Sequence, residues 1–211
     1  MNPTLFEIKR LEETRFDYRD VVSLIHLSFQ ERTQQGILFP CAVIQVEEYR
    51  ERMNNGMVLV AIDKQTGALL GTAATRIRRN SKNQLFGHNE YLAVHPDAKR
   101  RGIASSLFRE RLKMQIIMGA EYVISYTAEK ADSSISYHLK NGFRKIGLES
   151  FEGNNYYSIL FRYQISKKGW INYAYSSRFL CAIRFSISSF VTRSTIKADG
   201  TPTRIGKLIK G

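Results

Sequence analysis

Ahead of a segment with helical periodicity, the chain places Lys99, Arg100 and Arg101 directly before Gly102, Ile103 and Ala104. Three cations followed by small residues suit an anion with several oxygens. Residues 86–94 read as a strand ending at Val94-His95-Pro96, and residues 103–118 as a helix with an apolar stripe. The first amides of a helix have no carbonyl within it to bond, and that end of the helix dipole is positive. A diphosphate fits there. Gly102 and Ala104 allow close backbone approach, which a larger side chain would block. A lone Gly-x-Ala would describe only a solvated basic loop. The whole run of strand, Pro96, basic loop, small residues and amphipathic helix is what points to phosphate.

The elements that must hold this loop follow from hydrophobic period. Alternation over 5–11 predicts a first strand, and helical spacing over 17–34 predicts a helix that ends near Gly36. A short charged helix follows at 46–54. Residues 57–62 and 69–76 form a hairpin, and 80–83 is a polar turn before the fourth strand. A strand at 121–127, a helix at 132–140 stopped by Asn141-Gly142, and strands at 143–150 and 156–163 complete the domain. The order is strand, two helices, three strands, helix, strand, helix, two strands. It predicts one α/β domain over 1–165 with a mixed sheet.

Residues 5–165 in element order, and most specifically 90–143, resemble the GNAT superfamily of N-acetyltransferases. The family's acetyl-CoA motif is Q/R-x-x-G-x-G/A. Gly102 and Ala104 match it, and Lys99 stands where Gln or Arg is usual. The resemblance implies a GNAT-like acyl-CoA N-acyltransferase fold, an α/β fold with a central, mixed, mostly antiparallel sheet flanked by helices. It implies acetyl-CoA as cosubstrate and no metal. Pantetheine would pair with the fourth strand at Leu92, Ala93 and Val94. The diphosphate would lie on Lys99, Arg100, Arg101, Gly102, Ile103, Ala104 and Ser105. A second family motif carries an Asn, a helix, and Tyr-x-x-x-Gly-Phe. Before Gly142-Phe143 this chain has Ala131 at the Asn position and His138, beside Tyr137, at the Tyr position.

Acetyl transfer to an amine needs a neutral nucleophile. An alkylammonium has a reference pKa near 10.4, about that of lysine, so a base must take its proton. Strict alternation places His88, Glu90, Leu92 and Val94 on one face of the fourth strand. Family bases often act from this strand, which makes Glu90 and His88 the candidate bases. Backbone N–H groups near 92–94 would stabilise the oxyanion, and His138 or Tyr137 would protonate the leaving thiolate. Bland roles stand beside these: an ion pair for Glu90, a strand-end contact for His88, core packing for Tyr137. In the loop 34–40, Gln34, Gln35 and Phe39 suit a polar, ring-shaped acceptor such as an amino sugar, and equally suit a packed loop.

The chain has 211 residues and a net charge of +13. Residues 166–211 hold nine basic residues and one acid, Asp199, for +8, which leaves +5 elsewhere. A basic extension at 166–211 therefore follows the domain. Within it, helical spacing over 176–193 gathers Phe179, Leu180, Ile183, Ile187, Phe190 and Val191 on one face, behind Trp170, Tyr173 and Tyr175. This describes a helix lying on an anionic bilayer, or one docked on the domain or on a second copy in a homodimer. Cys41 and Cys181 form no metal or redox spacing, and Glu7, Lys9 and Arg10 interrupt any apolar leader. No run approaches the roughly 20 apolar residues of a spanning helix. The expected location is cytoplasmic, with peripheral contact at the inner membrane face as an option. Arg76, Arg78, Arg79 and Lys82 make a basic hairpin, but no nucleic-acid motif accompanies them and no specific nucleic-acid partner is expected. The function expected is N-acetyl transfer from acetyl-CoA to the primary amine of a small molecule, an amino sugar or its conjugate, by direct attack in a ternary complex. The alternatives are a GNAT-fold docking protein without catalysis and a basic nucleic-acid module.

Overall fold

The computed structural model describes residues 5–166 and 170–203. The chain divides into two compact units, Met1–Ala120 and Glu121–Gly211. The fold is of the expected α/β class, with seven strands among the described residues, antiparallel within each unit, and helices packed on the sheets.

The first unit holds β1 (Phe6–Arg10), α1 (Tyr18–Gln34), α2 (Val46–Met53), β2 (Gly56–Asp63), β3 (Leu69–Arg79), β4 (Leu85–Val94) and α3 (Ile103–Ile117). Its sheet runs β1-β2-β3-β4. Asp17 starts α1 by accepting from the Arg19 and Asp20 amides, and the Asp20 carboxylate accepts from the Asp17 amide in return. Gly36, at φ +79°, follows the helix end. Asp63 closes the β2–β3 hairpin by accepting from the Gln65 and Thr66 amides. Asn80 does the same for Lys82 and Gln84 at the next turn.

Strand alternation divides this unit's core in two. Val58, Val60 and Ala74 face α1 and α2, meeting Val21, Ile25 and Tyr49. Leu59, Ala61 and Ala73 face α3, meeting Ile103 and Leu107. Each sheet face is thus covered, and every large side chain named here is less than one-tenth exposed.

The second unit holds β5 (Tyr122–Ala128), α4 (Asp132–Lys140), β6 (Arg144–Glu149), β7 (Ser158–Gln164), α5 (Trp170–Ser176) and α6 (Arg178–Thr195). Its strands are ordered β5-β7-β6. The helix α5 is not foreshadowed by sequence period. Arg162 of β7 holds it, with its guanidinium between the rings of Tyr122 and Tyr175 at 3.6 and 3.8 Å and a bond to the Asn172 side chain at 3.3 Å. Burial between the two rings pulls the Arg162 pKa down from its ordinary value. The expected helix at 176–193 is α6, packed along β6. Lys167, Lys168, Arg204, Lys207 and Lys210 of the basic extension lie outside the described residues, as do the side chains of Trp170 and Tyr173.

Candidate functional site

The loop between β4 and α3 carries the residues that the sequence assigns to phosphate binding. A single turn of 3-10 helix, Pro96–Ala98, leads out of His95, and Gly102 caps α3 at φ +80°. Arg100 is also left-handed, at φ +63°. The first helical bond runs from the Ser106 amide to the Gly102 carbonyl at 3.0 Å. The amides of Ile103 and Ser105 come too early to find a carbonyl inside the helix. Among the described residues, no atom beyond the adjoining chain lies within 4 Å of where a Gly102 Cβ would stand, so the approach to the helix start is open. Two of the three loop cations brace the loop: Lys99 pairs with Glu31 of α1 at 3.1 Å, and Arg101 with Asp63 of β2 at 3.4 Å. The Thr66 and Gln65 amides, aided by Arg101, hold the Asp63 carboxyl below its ordinary pKa.

What aims this helix is a set of residues that sequence reading passed over. Gly71 of β3 lies against the first turns of α3. A Cβ there would meet Ile103 Cγ2 at 2.8 Å and Leu107 Cδ1 at 3.2 Å. Further along, buried Arg111 donates to the Ala74 carbonyl at 3.0 Å, and Gln115 Nε2 donates to Thr75 Oγ1 and Asn89 Oδ1, both at 2.7 Å. Gly87 leaves the room this takes, since a Cβ there would stand 2.4 Å from Gln115 Nε2. No motif marks these contacts, because each joins positions 26 to 40 residues apart.

The fourth strand departs from the expected alternation. Thr72 pairs with Ala93 and Ala74 pairs with Glu90, so Tyr91 and Leu92 oppose Ala73 alone. This is a β-bulge, and Tyr91 sits in it at φ +50°. For a bulky residue that conformation costs about 1–2 kcal/mol. The extra residue reverses the face. Glu90 shares the α1/α2 side with its partner Ala74, and His88 with its partner Arg76. Leu92 and Val94 instead pack on the α3 side. His88, Glu90, Leu92 and Val94 therefore do not share one face, contrary to the reading from strict alternation.

Glu90 and His88 do come together. Arg76 grips both Glu90 oxygens, Nε to Oε2 at 2.7 Å and Nη2 to Oε1 at 2.6 Å, and His88 Nδ1 stands 3.8 Å from Oε1. Burial lowers the His88 pKa against the pull of Glu90, with Arg78 and Arg76 lowering it further. These influences favour the neutral ring. Beside the bulge, the Tyr49 and Tyr91 rings meet edge-on at 4.9 Å. Burial pushes the Tyr91 phenol up to about 12. The Tyr49 hydroxyl is buried with no hydrogen-bond partner among the described residues. An orphaned buried hydroxyl beside a carboxylate is a place for water or a polar ligand.

The second unit holds the other two candidates. His138 is 5 % exposed, stacked on Phe161 at 4.5 Å. Its Nδ1 lies 2.7 Å from the Ser134 carbonyl and its Nε2 2.9 Å from Ser125 Oγ. A carbonyl only accepts, so Nδ1 carries a proton. Tyr137, half-buried, meets the His138 ring edge-on at 5.2 Å. Ala131, which precedes α4, is buried and supplies no side-chain cap.

In the loop after α1, Phe39 tilts against Phe29 at 5.1 Å, and the Arg32 guanidinium lies over both rings. Gln34 lines a cleft of about 240 Å³ with Ser28, Gln30, Glu31 and Lys99. Among the described residues no cluster of three His, Cys, Asp or Glu side chains could hold a metal. Of the basic hairpin, Arg76 is bound to Glu90 and Arg79 to Asn83.

Residues 29–158 match the acetyltransferase (GNAT) domain family. No curated protein matches the sequence. Solved structures of similar fold include the NatC complex bound to Gag peptide and CoA, at 15% identity and TM-score 0.64, covering 76% of this chain and 99% of that one. A GCN5-related N-acetyltransferase of Kribbella flavida matches at 16% identity and TM-score 0.62, covering 78% and 100%. PaiA N-acetyltransferase of Thermoplasma acidophilum, in complex with coenzyme A, matches at 18% identity and TM-score 0.56, covering 76% and 99%.

Proposed function

The chain belongs to the GNAT acetyltransferase family, which takes its acetyl group from acetyl-CoA, and from this premise we propose that it acetylates the primary amine of a small hydroxylated molecule, an amino sugar or its nucleotide or lipid conjugate. The observation that carries the cofactor half is Gly102, left-handed at the start of α3 with open space before it. The diphosphate of acetyl-CoA rests on the amides of Ile103, Ala104 and Ser105, with Arg100 as a nearby cation and Lys99 and Arg101 stiffening the loop. Leu92, Ala93 and Val94 carry the pantetheine arm past the bulge. Acetyl-CoA supplies the activated acyl group. The chain's own part is to orient the amine and take its proton.

Glu90 and His88 form the proton-accepting pair. A water held by the Tyr49 hydroxyl relays the amine's proton to them, which supports the neutral His88 as final acceptor because Arg76 already occupies both Glu90 oxygens. Tyr137, more accessible than His138, returns a proton to the thiolate. Ser28, Gln30, Glu31 and Gln34, beside Leu27 and Pro96, would suit an acceptor that presents hydroxyls along with an apolar ring face. Thiol release measured across amines, amino sugars and peptides tests the reading, with titration calorimetry of acetyl-CoA beside it. Saturable micromolar binding is expected, weakened at least tenfold by Gly102→Val, whose forced left-handed φ costs about 1–2 kcal/mol. Absence of binding heat overturns the proposal. A second reading, cofactor binding without turnover, is favoured by the engaged ring nitrogens of His138 and by Ala131 at the Asn position. Heat without thiol release on any acceptor selects it.

A further inference from the structure

The helix α6 is docked by what would ordinarily be called its wrong side. Ser188 Oγ accepts from the Leu148 amide of β6 at 3.0 Å, Thr192 Oγ1 donates to the Leu148 carbonyl at 2.7 Å, and Cys181 is buried. Gly147 leaves the space, since a Cβ there would stand 3.3 Å from Ser188 Oγ. With hydroxyls meeting the sheet backbone, the apolar stripe is turned outward. Phe179 is 71%, Ile187 60% and Phe190 75% exposed, with Ile183 and Val191 also exposed between them. A contiguous apolar face of this kind marks a surface that something covers.

Charge says what. Arg178–Thr195 contains Arg178, Arg184 and Arg193 and no acid. At about 100° per residue, Arg184 lies roughly 60° from Ile187, on the border of the stripe. Arg193 is tied to Glu129, and Lys145 lies 5.6 Å from the Phe185 ring on the docked side. The sequence from 166 to 211 carries nine basic residues against Asp199 alone. A second copy of α6 on this stripe would bring like charges together with no acid on either helix to offset them. No helix among the described residues is long and apolar enough to cross a membrane, so α6 could lie on a bilayer rather than span it.

We infer that the outward stripe of α6 seats on an anionic lipid surface, with Phe179, Ile187 and Phe190 in the acyl boundary and the bordering arginines at the headgroups. This goes beyond the catalytic reading and does not depend on turnover. It places the enzyme at the surface where lipid-conjugated acceptors would be found.

The test is flotation of the full chain with vesicles of phosphatidylcholine, alone or with roughly one part in three phosphatidylserine. Binding is expected to the anionic vesicles, little to the neutral ones, and most of it should disappear at about 1 M salt, where screening acts within roughly 3 Å. The triple variant F179S/I187S/F190S should lose about tenfold or more in partitioning, and R184E about fivefold. The triple change leaves the docked face alone, so circular dichroism and thiol release with a soluble amine should be unchanged in it. Arg184 lies over the Tyr175 ring at 5.4 Å, so R184E is read beside R184Q, which should float between R184E and the parent chain if charge at the bilayer sets the loss. Equal flotation with neutral vesicles, or none with either, overturns the inference. Concentration-dependent dimerisation that the triple variant abolishes, without flotation of the parent chain, also overturns it and assigns the stripe to a second copy.

Discussion

Helices α3 and α6 both lie on antiparallel strands, and they hold on in opposite ways. The first buries Ile103, Leu107 and Phe108 and fastens its far end with Arg111 and Gln115. The second sets Ser188 and Thr192 against Leu148 and leaves its large apolar residues outside. The first arrangement fixes an axis, so that the amides at Ile103 keep one aim. The second keeps a surface available. An apolar stripe in sequence therefore does not by itself say which side of a helix docks.

Equal truncations make the contrast measurable. Leu107→Ala should destabilise the first unit by about 2–5 kcal/mol, because a fully buried side chain leaves a cavity. Urea midpoints would show it. A loss below about 1 kcal/mol would mean that α3 is not the rigid member of the pair. Gly71→Val should cost about 1–3 kcal/mol, since the new carbons run into Ile103, Leu107 and the Ala93 carbonyl. It should weaken coenzyme A binding along with stability, because the clash displaces the helix start itself.

On the other helix, Thr192→Val removes one hydroxyl bond and should cost about 0.5–1.5 kcal/mol. If it costs nothing, α6 is held by something other than its hydroxyls. Acidification should act on the first unit through His88. Its folded pKa lies below the ordinary 6.5. As pH falls from 6.5 towards that depressed value, the unfolded chain binds a proton that the folded chain refuses, and stability declines. His88→Gln should flatten this slope in urea melts taken across the range. The smallest effect belongs to Ile187→Ala, expected within about 0.5 kcal/mol because the residue is 60% exposed. A large loss there would mean the stripe is covered in solution.

The order of elements was readable because apolar spacing in α1, α3 and the hairpin strands follows burial closely. The loop and helix start at Gly102 were readable for a related reason: their signal is local, a run of consecutive residues. The bulge at Tyr91 was not. Tyr91-Leu92-Ala93-Val94 contains no Gly or Pro to mark an inserted residue, and the register is decided by pairing with β3. One extra residue then carried Leu92 and Val94 to the face opposite Glu90. Arg76 was visible only as one cation among several, because its partner lies fourteen residues away across a turn. Short, aromatic-rich α5 has little intrinsic drive to be helical, and a tertiary clamp supplies it.

That clamp has a practical bearing on any shortened form of the protein. Ending the chain at Ser166 would cut two residues after β7. It would also strip Tyr175 and Asn172 from a guanidinium that is only 7% exposed, leaving an always-charged group and the Tyr122 ring to find new company. The smallest piece that keeps the β5-β7-β6 sheet sound therefore includes the helices that follow. Questions about the outward stripe are better put with single side chains than with scissors.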